Sequence, residues 1–313
     1  MAKRRRESTA LRRGAVGPRQ PCPCGSGRRY KACHGAPGGA SPYVARTFEG
    51  LPGECDWVAL REFVPAGTAA AALRPGAIGP DGPASLMVAS LLPGVAPALK
   101  REDGGVWLAL QAAHRSGDAS NDLAEAVELA AAADPGAAVA LPRVAATTTR
   151  LQDLVAADSE FPVTVHDSFD FWFDGEPDPT TAATLEQVNA SVEPTSRLTA
   201  VDAAYWVSAG SREHLRWVLP HDEDRLLTAL ARLHVAGADR LVPGDRLVGS
   251  FRAHGLLIVV WDLPEGTGPE ALESPATEFV DRLGAALAAA DPLTAAERSA
   301  RNGLANRQLT IPR

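Results

Sequence analysis

Three thiols and one imidazole fall within thirteen residues, Cys22, Cys24, Cys33 and His34 of Cys22-Pro23-Cys24-Gly25-Ser26-Gly27-Arg28-Arg29-Tyr30-Lys31-Ala32-Cys33-His34. Zn2+ takes four such ligands in a tetrahedron, and a site filled by protein ligands alone is structural rather than catalytic. Cys22 and Cys24 are one residue apart, too close for an unstrained bridge to each other, yet both sulfurs can turn toward one ion. Cys33 and His34 are adjacent and can reach the same ion from the end of a helical turn. Gly25 and Gly27 allow the positive φ angles of a knuckle, Pro23 stiffens the first ligand pair, and Ser26 can cap the turn carrying Tyr30 and Cys33. A unit this small has no room for a hydrophobic core. It is expected to fold only with its ion, whose binding contributes roughly 10 to 16 kcal/mol in small zinc peptides.

Elsewhere the chemistry-bearing residues are sparser. Glu213-His214 and His221-Asp222 stand seven residues apart, with Arg212, Arg216 and Asp224 beside them, so one segment holds acid, base and cation. Their spacing does not present two imidazoles to one metal from a helix, no HExxH accompanies them, and a charged, solvated loop is the competing reading. Arg252, His254 and Asp262 form a second group, with His254 at a hairpin tip as a proton carrier or simply a turn residue. No GxxxxGK[ST] phosphate loop and no GxSxG nucleophile elbow occurs. The enzymatic alternative is therefore a hydrolase built on His214, His221 or His254.

The pattern Cys22-x-Cys24-x-Ser26-Gly27-x-x-Tyr30-Lys31-x-Cys33-His34 resembles the SEC-C motif, the zinc module at the C-terminus of the SecA translocase ATPase and on many otherwise unrelated bacterial proteins. The resemblance spans residues 20–36 and implies zinc held by Cys22, Cys24, Cys33 and His34 in a module that serves as a docking surface. Here it lies near the start of the chain with no ATPase sequence beside it, so motor activity does not carry over. From about Phe48 onward, runs such as Leu51-Pro52-Gly53-Glu54-Cys55-Asp56 and Gly249-Ser250-Phe251-Arg252-Ala253-His254-Gly255-Leu256 resemble an uncharacterised actinobacterial family. That resemblance implies no activity.

With 313 residues, 45% hydrophobic and 22% charged, the chain is in the globular range and long enough for one large domain or two medium ones. Its net charge of -7 is unevenly placed: residues 1–40 hold ten Lys and Arg against Glu7 alone, a charge of +9, so the remainder carries -16. Such a split implies a basic arm for a polyanion on a body that nucleic acid should avoid. The expected partners are a ribosome, RNA or a protein complex, met through Arg28, Arg29 and Lys31 with the rest of the arm. No apolar run approaches the roughly 20 residues of a membrane span, and no apolar segment follows the basic start, so a cytoplasmic location is expected. Cys55, outside the cluster, reads as a buried structural thiol.

The elements that must position these groups follow from punctuation and period. Residues 1–19 read as a disordered basic tail, 37–47 as a linker, and 48–313 as an α+β domain with a possible division near 137–149. Trp57, Leu60 and Val64 predict a helix stopped by Pro65. Segments 85–92, 106–111, 162–166 and 203–207 predict strands, and Ser168–Asp174 an edge strand. Helices are predicted over 122–133, with Ser120 or Asn121 as cap, and over 150–157, 182–192 and 222–235. Arg246–Arg252 and Leu256–Asp262 predict a hairpin turning at Ala253-His254-Gly255. A long helix from Ser274 to Ala290 follows, then a last one opened by the capping box Thr294–Glu297.

Overall fold

Glu54 and Asp56 put two carboxylates in the first turn of a helix, favourable against its dipole, and the computed structural model forms α1 there, over Glu54–Glu62. The structure describes residues 17–20, 28–32, 43–80, 82–113, 117–142, 147–173 and 175–309. Gly53 precedes α1 in the left-handed region, φ 65°, where glycine sits without a Cβ penalty. Cys55 through Arg61 are all buried. A helix buried all round is interior, and α1 is the element on which the rest is assembled.

On one side of α1 lies a six-stranded sheet made of β1 (Gly67–Ala72), β2 (Ser85–Ala89), β3 (Ala98–Lys100), β4 (Val106–Ala109), β5 (Ala138–Val139) and β6 (Val163–Val165). Its order is β5-β3-β4-β2-β1-β6. All its pairings are antiparallel except β2 with β4, where Met87 faces Trp107 and Ala89 faces Ala109 in parallel register. Strand alternation turns Ala69, Ala71, Leu86, Val88, Val106 and Leu108 toward α1 and the following helix α2 (Ala119–Ala132), with which they share a core. The opposite face carries Ala89, Ala109, Leu99 and Trp107.

On the other side of α1 a second, wholly antiparallel sheet contains β7 (Thr195–Arg197), β8 (Ala204–Ala209), β9 (Arg212–Leu219), β10 (Arg246–Ala253) and β11 (Leu256–Leu263), in the order β10-β11-β9-β8-β7. Tyr205, Val218, Leu256 and Ile258 face α1. Trp217, Trp261 and Leu257 face a layer formed by α5 (Glu223–Val235), α6 (Glu273–Ala288) and α7 (Ala295–Asn306), with Phe279 of α6 between the two indoles. α3 (Leu151–Leu154) falls between β5 and β6 of the first sheet, and α4 (Pro179–Asn189) follows β6 and precedes the second sheet. The architecture is the expected α+β: helices, sheet, central helices, sheet. No helix among the described residues is long and apolar enough to cross a membrane.

Three local expectations are corrected. Ser168–Asp174 was expected as an edge strand, but Asp170–Trp172 form a 3-10 turn, because Trp172 breaks the alternation and its ring stacks on Phe169 at 4.4 Å. The cap of α2 is Asp118, which accepts from Ser120 N, in place of Ser120 or Asn121. The charged run at 212–219 is not a solvated loop: it is β9, the middle strand of its sheet. The hairpin at 254 and the Thr294–Glu297 capping box form as expected.

Candidate functional site

The cysteine-rich segment is described at its turn. Gln20 N donates to Gly17 O, Tyr30 N to Gln20 O at 2.8 Å and Lys31 N to Pro18 O at 3.0 Å, so residues 30–31 lie against 18–20. A 3-10 turn over Tyr30–Ala32 ends immediately before Cys33 and His34, and Arg28, Arg29 and Lys31 are exposed. Tyr43 N donates to the Tyr30 hydroxyl at 3.2 Å, and Val44 N to Gly117 O at 2.9 Å. Two hydrogen bonds thus carry the turn onto the main domain. Cys22, Cys24, Cys33 and His34 lie outside the described residues. By chemistry their set fits zinc: three soft thiolates, one borderline imidazole and no oxygen donor. Among the described residues, no group of three or more His, Cys, Asp and Glu is placed to hold a metal.

The two histidine groups are rearranged by the fold. His214, on β9, lies opposite Asp262 of β11, its Nδ1 3.0 Å from Asp262 Oδ1 but out of line for a hydrogen bond. Asp262 also pairs with Arg246 at 3.0 Å. His221 follows β9, beyond Leu219, so along an extended chain it stands roughly 23 Å from His214. Burial, then the charge of Arg225, lowers its pKa. Arg252 binds Glu223, not His254 or Asp262. Arg216 is buried over the ring of Phe63, with its guanidinium 5.8 Å from the centroid, and burial lowers its pKa.

The strongest constellation is centred on His254 and includes residues no sequence pattern linked to it. His254 and Gly255 form the tip of the β10–β11 hairpin with φ of 48° and 78°, the pair of left-handed conformations of a type I′ turn. A Cβ on Gly255 would come within 2.9 Å of Ala45 O and Arg46, so the turn is pressed against residues 45–46. That contact aims the imidazole inward. His254 Nδ1 lies 3.0 Å from Thr47 Oγ1, Nε2 lies 3.1 Å from Glu62 Oε1, and the ring packs on Phe48 at 4.9 Å. Hydroxyl, imidazole and carboxylate in series have the connectivity of a hydrolytic triad. Thr47 is only 4% exposed, however, and its carbonyl is held by Arg150 and Gln152. Arg150 in turn pairs with the buried Asp118 at 2.6 Å. A substrate could not approach such a hydroxyl, and the group fastens residues 44–48 into the domain.

Other charged groups are structural in the same sense. Asp56 receives Arg197 through both oxygens at 3.0 Å and the Tyr205 hydroxyl at 2.6 Å. Glu213 accepts from Trp206 Nε1, Gly266 N and Gly268 N, donors that hold its pKa below the ordinary value against the opposing effect of desolvation. A cavity of about 410 Å3 lies beside Ile78, Pro80, Pro83, Lys100, Val106 and Ala131 and includes none of the histidines. Its Lys100 Nζ donates to Ala131 O and Ala133 O at the end of α2.

Comparison with known proteins adds two matches. A family model described as a family of unknown function, DUF5926, covers residues 47–312, and a model of the SEC-C motif covers residues 19–36. No curated protein matches the chain. No solved structure matches it either.

Proposed function

The chain belongs to the DUF5926 family, whose function is unknown, and from that premise we propose that the SEC-C motif ahead of the domain makes it a zinc-dependent docking protein. Cys22, Cys24, Cys33 and His34 would hold the ion, which supplies folding energy to the module and no reactive group. Three thiolates and a neutral imidazole leave the Zn2+ site at about -1. Arg28, Arg29 and Lys31, exposed on the adjoining turn, outweigh that charge. The observation that carries the reading is the charge split, +9 over residues 1–40 against -16 on the rest. A basic module on an acidic body binds RNA at one end and turns the body outward. The partner proposed is RNA as presented by the ribosome.

Sedimentation of ribosomes with the full chain, with and without Arg28, Arg29 and Lys31 changed to Gln, tests it. Recovery should fall in the variant and with rising salt, since each phosphate neutralised steepens the salt dependence. Equal recovery of both chains would overturn the RNA partner. Salt-independent recovery would point instead to a protein partner.

The hydrolase reading has less support. It would need His214, His221 or His254 beside a cleft. His214 faces Asp262, which Arg246 also holds, and the hydroxyl that His254 meets is buried.

A further inference from the structure

The two sheets differ in how their outer faces are covered. Three helices seal the second, whereas the outer face of the first carries, among the described residues, the 3-10 turn Asp170–Trp172. No residue of α4, which follows that turn, is buried, so it does not complete the cover. The face is aromatic and partly open: Trp107, Phe171, Trp172 and Phe173 are half-buried and Ala70 is exposed. The rings of Trp107 and Phe171 are parallel within 11° at 6.2 Å. Within this cluster the Arg101 guanidinium already sits 4.9 Å over the Trp107 ring, so the surface accepts the face-on contact that aromatic rings make with arginine.

Its charge selects an occupant. Residues 167–178 hold Asp167, Asp170, Asp174, Glu176 and Asp178 with no Lys or Arg, interleaved with Phe169, Phe171, Trp172 and Phe173. Residues 1–16 hold Lys3, Arg4, Arg5, Arg6, Arg12 and Arg13 against Glu7. The two segments are therefore -5 and +5. Sixteen residues reach about 50 Å when extended, against a radius of gyration near 18 Å for a domain of this size. We propose that the outer face of the first sheet is the seat of the chain's own basic arm, residues 3–13, with its guanidiniums over the aromatic rings and paired with the exposed carboxylates of Asp167, Asp170 and Glu176. A polyanion that takes the arm must first displace it from this face. The proposal depends neither on zinc nor on RNA binding.

An arginine-specific protease acting on the full chain tests it, with cleavage within the arm followed by mass spectrometry. A reporter peptide in the same tube corrects for salt effects on the protease. Cleavage should be about tenfold slower near 0.05 M salt than near 0.5 M, where exposed charges are screened within a few Å. The variant D167K/E176K, which changes two exposed side chains, should lose that protection at low salt. The control E265K/E270K, equally exposed but on the far side of the sequence, should keep it. Equal cleavage of wild type and D167K/E176K would overturn the proposal, as would equal loss in the control. Protection that grows with protein concentration would also overturn it, because the arm would then be seated on a second copy.

Discussion

Cys55 sits in the same chain as three thiols spaced for zinc, and its surroundings give it the opposite chemistry. Burial, then the neighbouring charges of Glu54 and Asp56, push its pKa up to about 12. The thiolate, which is both nucleophile and metal ligand, is then scarce at neutral pH. Thiol titration of the zinc-loaded chain should therefore find no fast-reacting cysteine, chelation should release three, and the fourth should react only after unfolding. Fewer than three thiols released by chelation would break the zinc assignment, and a Cys55 that reacts in the folded chain would contradict its burial. At this scale the sequence was informative where the chemistry is local. The zinc set lies within thirteen residues, and Cys55 stands out as the cysteine beyond it. The partners of His254 could not be read in the same way, because Thr47 and Glu62 lie 207 and 192 positions away.

Among the elements, α1 is tied to two strands of the second sheet at once by one side chain, that of Asp56, in addition to the Glu62–His254 contact. Asp56 is 4% exposed and satisfies Arg197 of β7 and Tyr205 of β8 together. Replacing it by Ala leaves the buried Tyr205 hydroxyl without its acceptor and takes the carboxylate from the half-buried Arg197, which keeps its bond to Leu198 O, a loss of about 3 kcal/mol, the lower end for a pair broken on one side. Asp56→Asn keeps an acceptor for the hydroxyl and should lose less. Urea denaturation of both variants checks the order, and a D56A loss below about 1 kcal/mol would place the pair among exposed, weak ones. α1 was legible because its apolar residues recur at helical spacing between two carboxylates and Pro65. β9 was not, because Glu213, His214 and Arg216 look solvated until their burial is known. Glu213 is stabilised by three donors and Arg216 by Phe63, and neither contact leaves a trace in local pattern. β1 is hidden for another reason: Gly67-Thr68-Ala69-Ala70-Ala71-Ala72 has one β-branched residue, and only its neighbours β2 and β6 make it a strand.

For the whole molecule, the question raised by its length is whether two sheets mean two folding units. Phe48, Trp57, Leu60, Leu108, Val218 and Ile258 belong to one core, so residues of both sheets close on α1. The second core, around Trp217, Trp261 and Phe279, is built on the other face of β9 and β11, strands whose alternate residues already serve the first. Neither core can open without the other losing a wall. Leu60 is fully buried, and its side chain lies where a Cβ on Gly67 would fall, so it touches β1 directly. Leu60→Ala should cost about 2 to 5 kcal/mol, as large-to-small changes in cores do. If the domain unfolds as one unit, hydrogen exchange should accelerate by the same factor at Val88 and Leu108 in the first sheet and at Val218 and Ile258 in the second. A division near residues 137–149 would give a different pattern. The first sheet would respond alone, and the melting curve would split into two steps. Coincident shifts at all four amides would instead show that α1 transmits the loss to both sheets.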